Sequence, residues 1–284
     1  HKSRLIRSAE DWKTLCTADR ADVLMASSGK VILMNDIELN AEEFNYTMSK
    51  IGQMCNDTAT FVFEGNGHTI TLSPKSENDI AVLYPLFDEI FPKATVRNLI
   101  VLVNNTMGDY SELSTDNIYY GLLANTNNGT IESCAVLTQE SFPFSAQYSY
   151  TKDVTPNVYI GVMVGENMGT IKESFVACPN PYEGFNVSVS CVYNDSSTGE
   201  PKDIENRYLY VGGIVGKNSG SILDSYVKMA GISITSQENG TDNNISAVSV
   251  EDGETSEENE TQNIISAISG VDGENAVYER VFYN

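Results

Sequence analysis

Gly161-Val162-Met163-Val164-Gly165-Glu166-Asn167-Met168-Gly169-Thr170-Ile171, continuing to Ser174-Phe175-Val176, is one of three copies of a single phrase. An earlier copy runs Gly121-Leu122-Leu123-Ala124-Asn125-Thr126-Asn127-Asn128-Gly129-Thr130-Ile131 and continues to Cys134-Ala135-Val136. A later one runs Gly212-Gly213-Ile214-Val215-Gly216-Lys217-Asn218-Ser219-Gly220-Ser221-Ile222 and continues to Ser225-Tyr226-Val227. The fixed points are Gly121, Gly161 and Gly212, then Gly129, Gly169 and Gly220, then Ile131, Ile171 and Ile222. Self-similarity of this kind means one supersecondary unit stacked on copies of itself, each unit burying the apolar face of the next.

Each copy reads as a short apolar strand, a turn and a second strand. Val162, Val164, Ile214 and Val215 are β-branched, and no stretch of a copy carries a helical stripe. The Asn-x-Gly triplets are expected to make the turn, with glycine free to take positive φ, and the repeat glycines are read as turn and close-packing positions in stacked coils. A phosphate-cradling role for Gly-x-x-x-Gly is rejected, because a helix N-terminus should follow and a strand does. A fainter copy lies upstream, where Ala94-Thr95-Val96-Arg97-Asn98-Leu99-Ile100-Val101 aligns with Gly169 to Val176. The Thr or Ser after the turn is then Thr95, Thr130, Thr170 and Ser221, at spacings of 35, 40 and 51 residues. One coil of a parallel β-helix needs only about 20–30 residues. The excess predicts inserted loops or drifted coils, with Thr138 to Asn157 and Ala177 to Arg207 as the candidate insertions.

The repeat resembles the GLUG motif of bacterial cell-surface and secreted proteins, including non-catalytic regions of some immunoglobulin A-cleaving peptidases. The N-terminal stretch fits the same resemblance. Ile6-Arg7-Ser8-Ala9-Glu10-Asp11-Trp12, Val31-Ile32-Leu33-Met34-Asn35-Asp36-Ile37-Glu38-Leu39 and Phe63-Glu64-Gly65-Asn66-Gly67-His68-Thr69-Ile70 look like the opening of such β-helices. The resemblance spans roughly residues 5–230 and implies an all-β, right-handed parallel β-helix with a short N-terminal capping helix and inserted loops. It implies no catalytic residues within the repeats. The first copy departs from the pattern, with Ala124-Asn125 where the others have Val-Gly.

Three regions are expected: a cap with a short helix over 1–30, the repeat-bearing β-helix over 31–230, and C-terminal coils or strands with an acidic low-complexity loop over 231–284. Ser8-Ala9-Glu10-Asp11 fits a capping box before Trp12, Leu15 and Cys16, so Ala9 to Ala18 reads as an amphipathic helix. Trp12, the only tryptophan, reads as a plug on the first coil. The opening His1-Lys2-Ser3 reads as a cut end from which a leader has been removed.

The formal net charge is −22, with no basic stripe, which argues against a nucleic-acid partner and against attraction to anionic lipid. No apolar run approaches the ~18 residues of a membrane span. Clustered carboxylates could instead hold calcium. Asp252 and Glu254, with Asp272 and Glu274, are the candidates, although neither triplet sits in an EF-hand-like loop. Otherwise no cofactor is expected. Five cysteines occur, Cys16, Cys55, Cys134, Cys178 and Cys191, without a C-x-x-C and with only two histidines in the chain, so a zinc site is not expected. Cys134 stands where the other copies have Ser and reads as a small core residue, while Cys178 and Cys191 flank a loop and could pair. Nine N-x-[ST] sequons carry meaning only in a eukaryotic secretory setting.

Parallel β-helices can host polysaccharide lyases and hydrolases, whose chemistry needs facing carboxylates or a positioned base. The lysines Lys172, Lys217 and Lys228 do not recur at one repeat position with acids beside them, and His68 reads as a turn residue. Solenoid faces and loops also suit binding, and Tyr148, Tyr150, Tyr182 and Tyr193 are the candidate ligand contacts, since tyrosine joins apolar area to a hydroxyl. The expected function is therefore a secreted or cell-surface β-helix for adhesion or for binding host glycan or matrix protein, without catalysis. A stalk or spacer within a larger surface protein is one alternative, and a polysaccharide-active lyase or hydrolase is the other.

Overall fold

The structure, a computed structural model, describes residues 3–17, 26–40, 47–73, 84–103, 109–113, 117–138, 142–150, 157–178, 185–193, 207–229, 232–238, 241–245, 261–266, 269–272, 276–279 and 281–283. The chain winds as a parallel β-helix. An eight-stranded sheet contains Ser3–Ile6, Gly29–Leu33, Phe61–Glu64, Ala94–Arg97, Thr130–Glu132, Thr170–Lys172, Ser221–Leu223 and Val277–Glu279 in that order. A seven-stranded sheet runs from Ile37–Asn40 to Phe282–Tyr283, and a six-stranded one from Met48–Ile51 to Ser269–Asp272. Every pairing in these three sheets is parallel. Thr95, Thr130, Thr170 and Ser221 are direct neighbours, as the spacing of 35, 40 and 51 residues predicts.

The three sheets close around one apolar interior because inward positions recur at the same rung. Val96, Ile131, Ile171 and Ile222 form one column, and Val101, Val136, Val176 and Val227 another. Ile70, Val164 and Val215 are equally buried. Each such side chain contributes about 1.5–3 kcal/mol on leaving water. The helix α1 (Ala9–Thr17) lies over the first coil, and Trp12 is fully buried against Phe63, ring centroids 5.7 Å apart, and Phe87 at 6.3 Å. Its first turn is capped as read, with Asp11 N–H donating to Ser8 Oγ at 3.2 Å and Arg7 N–H donating to Asp11 Oδ2 at 2.8 Å. No helix among the described residues is long and apolar enough to cross a membrane.

The later coils add two further walls. Ile118–Tyr120, Val158–Gly161, Arg207–Gly212 and Thr261–Ser266 make a four-stranded parallel sheet. Asp109–Leu113, Phe142–Tyr150, Phe185–Tyr193 and Ile232–Glu238 stack as parallel strands and end on the antiparallel Thr241–Ile245. The segments expected as insertions, Thr138 to Asn157 and Ala177 to Arg207, therefore carry nine-residue strands in matched register. The signal was alternation. Phe142, Phe144, Ala146, Tyr148 and Tyr150 share one strand face and pair with Phe185, Val187, Val189, Cys191 and Tyr193, while Ser, Gln and Asn fill the intervening positions except at Pro143 and Val192.

The turn reading needs correction. Gly129, Gly169 and Gly220 are not left-handed; the left-handed residues of the three repeats are Ser133 (φ 51°), Glu173 (φ 50°) and Asp224 (φ 48°). The close-packing half of the reading holds, because these glycines are required by close approach. A Cβ on Gly169 would fall on the carbonyl oxygen of Gly129 and lie 2.7 Å from Asn128 C, and one on Gly220 would fall on Gly169 O. Within Gly-x-x-x-Gly, Gly165 and Gly216 let the six-stranded sheet press against the four-stranded one. A Cβ on Gly216 would sit 2.6 Å from Ile160 N and 2.6 Å from Tyr159 C, and one on Gly161 would sit 2.6 Å from Gly216 N. Gly212 pairs beside Gly161 in the same wall.

Two polar columns replace apolar side chains inside the corners. Asn127 Nδ2 donates to Asn167 Oδ1 at 2.7 Å, and Asn167 Nδ2 donates to Asn218 Oδ1 at 2.8 Å, all three residues fully buried. Their carbonyl oxygens also accept the N–H of Gly129 (3.1 Å) and Gly220 (3.2 Å). The rung before Asn127 is Ile90, followed two residues later by Pro92, which has no N–H to satisfy. The second column is Cys134, Ser174 and Ser225. Ser174 Oγ accepts Cys134 N–H at 3.1 Å and Ser225 Oγ accepts Ser174 N–H at 3.2 Å, while each hydroxyl donates to the carbonyl two residues back at 2.8 Å. Burial pushes the Cys134 thiol up to about 12, so it packs as a core residue rather than reacting.

Candidate functional site

The four-stranded sheet carries a column of tyrosines that alternate with its core-facing residues, half-buried at Tyr119 and Tyr210 and buried at Tyr159. Tyr119, Tyr159 and Tyr210 are register neighbours, each eleven residues before the repeat's Thr130, Thr170 or Ser221. Their rings stack with centroids 5.0 and 4.8 Å apart and planes within 13° and 4° of parallel. Parallel strands spaced by one rung impose this spacing, so the backbone sets the stack before the rings attract each other.

The glycine-mediated contact with the six-stranded sheet brings Glu166 and Lys217 beside this column. Lys217 Nζ lies 2.8 Å from Glu166 Oε1, 5.8 Å from the Tyr119 ring centre and 5.5 Å from that of Tyr159. Burial disfavours the Lys217 ammonium, but the hydrogen bond and charge of Glu166 outweigh it and raise the amine above its ordinary range. Burial first, and the charge of Glu166 after it, raise the Tyr119 phenol, opposed by a hydrogen bond from Asn117. Asn157 completes the rim, its Nδ2 donating to the Tyr159 hydroxyl at 3.4 Å. The facing ring surfaces are spent on one another, and Tyr159 (7% exposed) and Glu166 (8%) are buried. The groups left for a ligand are those of the half-buried Tyr119, Tyr210 and Lys217, phenols and an ammonium suited to hydroxyl-rich ligands.

A second ordered face lies on the eight-stranded sheet, where Glu64, Arg97, Glu132 and Lys172 occupy one row with alternating sign. Arg97 Nε contacts Glu64 Oε2 at 2.8 Å, and Lys172 Nζ contacts Glu132 Oε1 at 2.9 Å. Burial alone would raise the Glu64 carboxyl, but the Asn98 amide (2.7 Å), the Arg97 guanidinium and the Asn66 N–H together hold it below the usual carboxylate range. His68 turns back on Gly65 through its N–H at 2.9 Å, and its Nδ1 lies 3.1 Å from Asp36 Oδ1.

Of the ligand contacts read from sequence, Tyr148 lies opposite Cys191 and Tyr150 opposite Tyr193 in the five-stranded sheet, on the strand face shared with Phe142, Phe144 and Phe185. Their side chains, like Tyr182 as a whole, lie outside the described residues. So do Asp252, Glu254 and Glu274, and the side chain of Cys191 with its pairing to Cys178. Asp272 is placed by backbone register opposite Asn218. Among the described residues no group of three or more His, Cys, Asp or Glu comes together. Tyr210 was not singled out from sequence, yet the interval of 40 and then 51 residues from Tyr119 matches the repeat spacing and could have revealed the column.

No protein-family model matches the chain, and no curated protein matches it either. Among solved structures, the chain is similar to one from Bacteroides ovatus described as a "putative immunoglobulin A1 protease", with 14% identity, 96% of this chain and 84% of that one covered, and a TM-score of 0.39.

Proposed function

We propose that this chain is a secreted or cell-surface β-helix of the GLUG-like kind that binds host glycan or matrix protein without catalysis. The observation that carries this reading is the Tyr119–Tyr159–Tyr210 column with Lys217 and Glu166 at its flank. It repeats along the helix axis as an extended glycan or peptide does, and aromatic edges beside paired charges and amides are the groups that recognise hydroxyl-rich ligands. A spacer role is the second reading, favoured by the alternating row Glu64, Arg97, Glu132 and Lys172, whose charges are committed to one another.

The test is a glycan-array and matrix-protein screen on the chain, run with calcium and with chelator, using wild type, Tyr119→Ala and Lys217→Ala. The binding reading expects a hit in both conditions, weakened in Tyr119→Ala by about 5-fold or more, the effect of losing ~1 kcal/mol of contact. Absence of any hit in both conditions refutes it and leaves the spacer. A hit that requires calcium moves the site to the acidic loops.

A further inference from the structure

Lys217 on its own would make the tyrosine column an anion site, but it does not stand on its own. Thr126, Glu166, Lys217 and Val271 follow one another at one register position on successive rungs of the six-stranded sheet. Glu166 is the only charged residue next to Lys217 in that row. The Lys217 side chain is 28% exposed and that of Glu166 only 11%, with Nζ and Oε1 2.8 Å apart. A ligand can therefore reach the ammonium, yet every group that binds there also meets the field of a carboxylate that water screens poorly. The Tyr119 and Tyr159 rings, 5.8 and 5.5 Å from Nζ at their centres, keep the ammonium beside the column.

We propose, on the binding role assigned above to this column, that Glu166 sets the charge of the ligand: by neutralising Lys217 it admits uncharged, hydroxyl-rich glycans and turns away glycans that carry carboxylate or sulfate groups. An ammonium paired with one carboxylate oxygen keeps further N–H donors, which a sugar hydroxyl accepts without bringing charge. A carboxylate or sulfate at the same place would lose most of its attraction to Lys217 through repulsion by Glu166. The phenols supply no positive charge in compensation. Tyr119, raised by burial and then by Glu166, stays protonated and uncharged at neutral pH. The whole chain, at a net charge of −22, adds to the repulsion of polyanions. Glu166 acts through Lys217 and is in that sense a positioning residue.

The test is a glycan array that carries neutral chains beside sialylated and sulfated forms of the same chains, with heparin and collagen as separate probes, read at low and high ionic strength. Wild type should bind a neutral chain at least about 10-fold more tightly than its charged form, with a neutral affinity that salt changes by less than about 3-fold. Glu166→Gln should raise the charged-to-neutral affinity ratio by about 10-fold or more, a gain that high salt removes and that Lys217→Ala in the same chain abolishes. A merely structural Glu166 would weaken both forms alike. Wild type preferring charged chains, an unchanged ratio in Glu166→Gln, or a gain that survives Lys217→Ala would each overturn the proposal, while the binding role stands as long as Tyr119→Ala still weakens the hit. The wild-type preference gives this answer even if Glu166→Gln does not fold. No glycan hit, a hit on collagen alone, or a hit indifferent to Tyr119→Ala would overturn the binding role and the charge selection together.

Discussion

Replacing Asn167 by Ala removes the middle rung of the buried amide column, and the structure sets the size of the effect. Asn167 accepts from Asn127 at 2.7 Å and donates to Asn218 at 2.8 Å. Two net hydrogen bonds contribute about 2 kcal/mol, and stranding the Asn127 amide adds ~1–3 kcal/mol, so the expected loss is roughly 3–5 kcal/mol. The end rungs should cost a comparable amount. Asn218→Ala strands the Asn167 amide and the Gly220 N–H but also removes a donor that has no partner, and Asn127→Ala strands the Gly129 N–H and an acceptor on Asn167. Urea unfolding combined with hydrogen exchange over Val164–Asn167 and Val215–Asn218 reads it, since a solenoid can lose coils separately. A loss below about 0.5 kcal/mol at Asn167 would refute the column as an energetic unit.

Other substitutions separate the physical roles assigned above. Gly169→Ala should cost about 3 kcal/mol or more because its Cβ meets Gly129 backbone, whereas Gly67→Ala, strained by φ 78° but in open space, should cost ~1 kcal/mol; thermal unfolding ranks them. Glu173→Asn should stabilise by roughly 0.5–1 kcal/mol, because Asn tolerates the left-handed conformation at φ 50° better than Glu does, and a higher midpoint in urea checks it. The lowered carboxyl of Glu64 gives stability that is fully present above the ordinary carboxylate value of about 4.3 and is lost as pH falls through the lower folded value. Glu64→Gln should accordingly weaken the fold near neutral pH and flatten its acid dependence in urea titrations. Ile171→Asn puts an amide into the fully buried isoleucine column and should cost several kcal/mol, about 3–5, read as a lower melting temperature.

The winding was legible because its cause is periodic. Thr95, Thr130, Thr170 and Ser221 had to be neighbours once each repeat was one coil, and Ile131, Ile171 and Ile222 had to fill one column. The capping helix was legible from Ser8 to Asp11 for the same local reason. Glycine at 129, 169 and 220 was read both as a turn and as a close-packing position, and the close approach of Gly169 and Gly220 to the Gly129 and Gly169 carbonyls bears out the second while the left-handed turn lies elsewhere. The strands Phe142–Tyr150 and Phe185–Tyr193 were hidden because their alternation was masked by a Ser- and Tyr-rich composition that also suits loops. The tyrosine column was half visible. Tyr119 and Tyr159 stand at repeat spacing, but pairing them with Glu166 and Lys217 depends on two sheets touching through Gly165 and Gly216, which no one-dimensional pattern encodes.

Every column described here, apolar, amide and aromatic, rests on adjacent coils meeting in one register, and disulfide trapping measures that register directly. Neighbouring strand residues lie within the Cα separation of about 4.4–6.8 Å that a disulfide spans. Thr170→Cys combined with Ser221→Cys should crosslink rapidly under mild oxidation, because the two positions face each other across Thr170–Lys172 and Ser221–Leu223. Thr170→Cys combined with Leu223→Cys, two residues out of step, should remain reduced. Efficient closure of the slipped pair, with the matched pair left open, would contradict the stacking and every site built upon it.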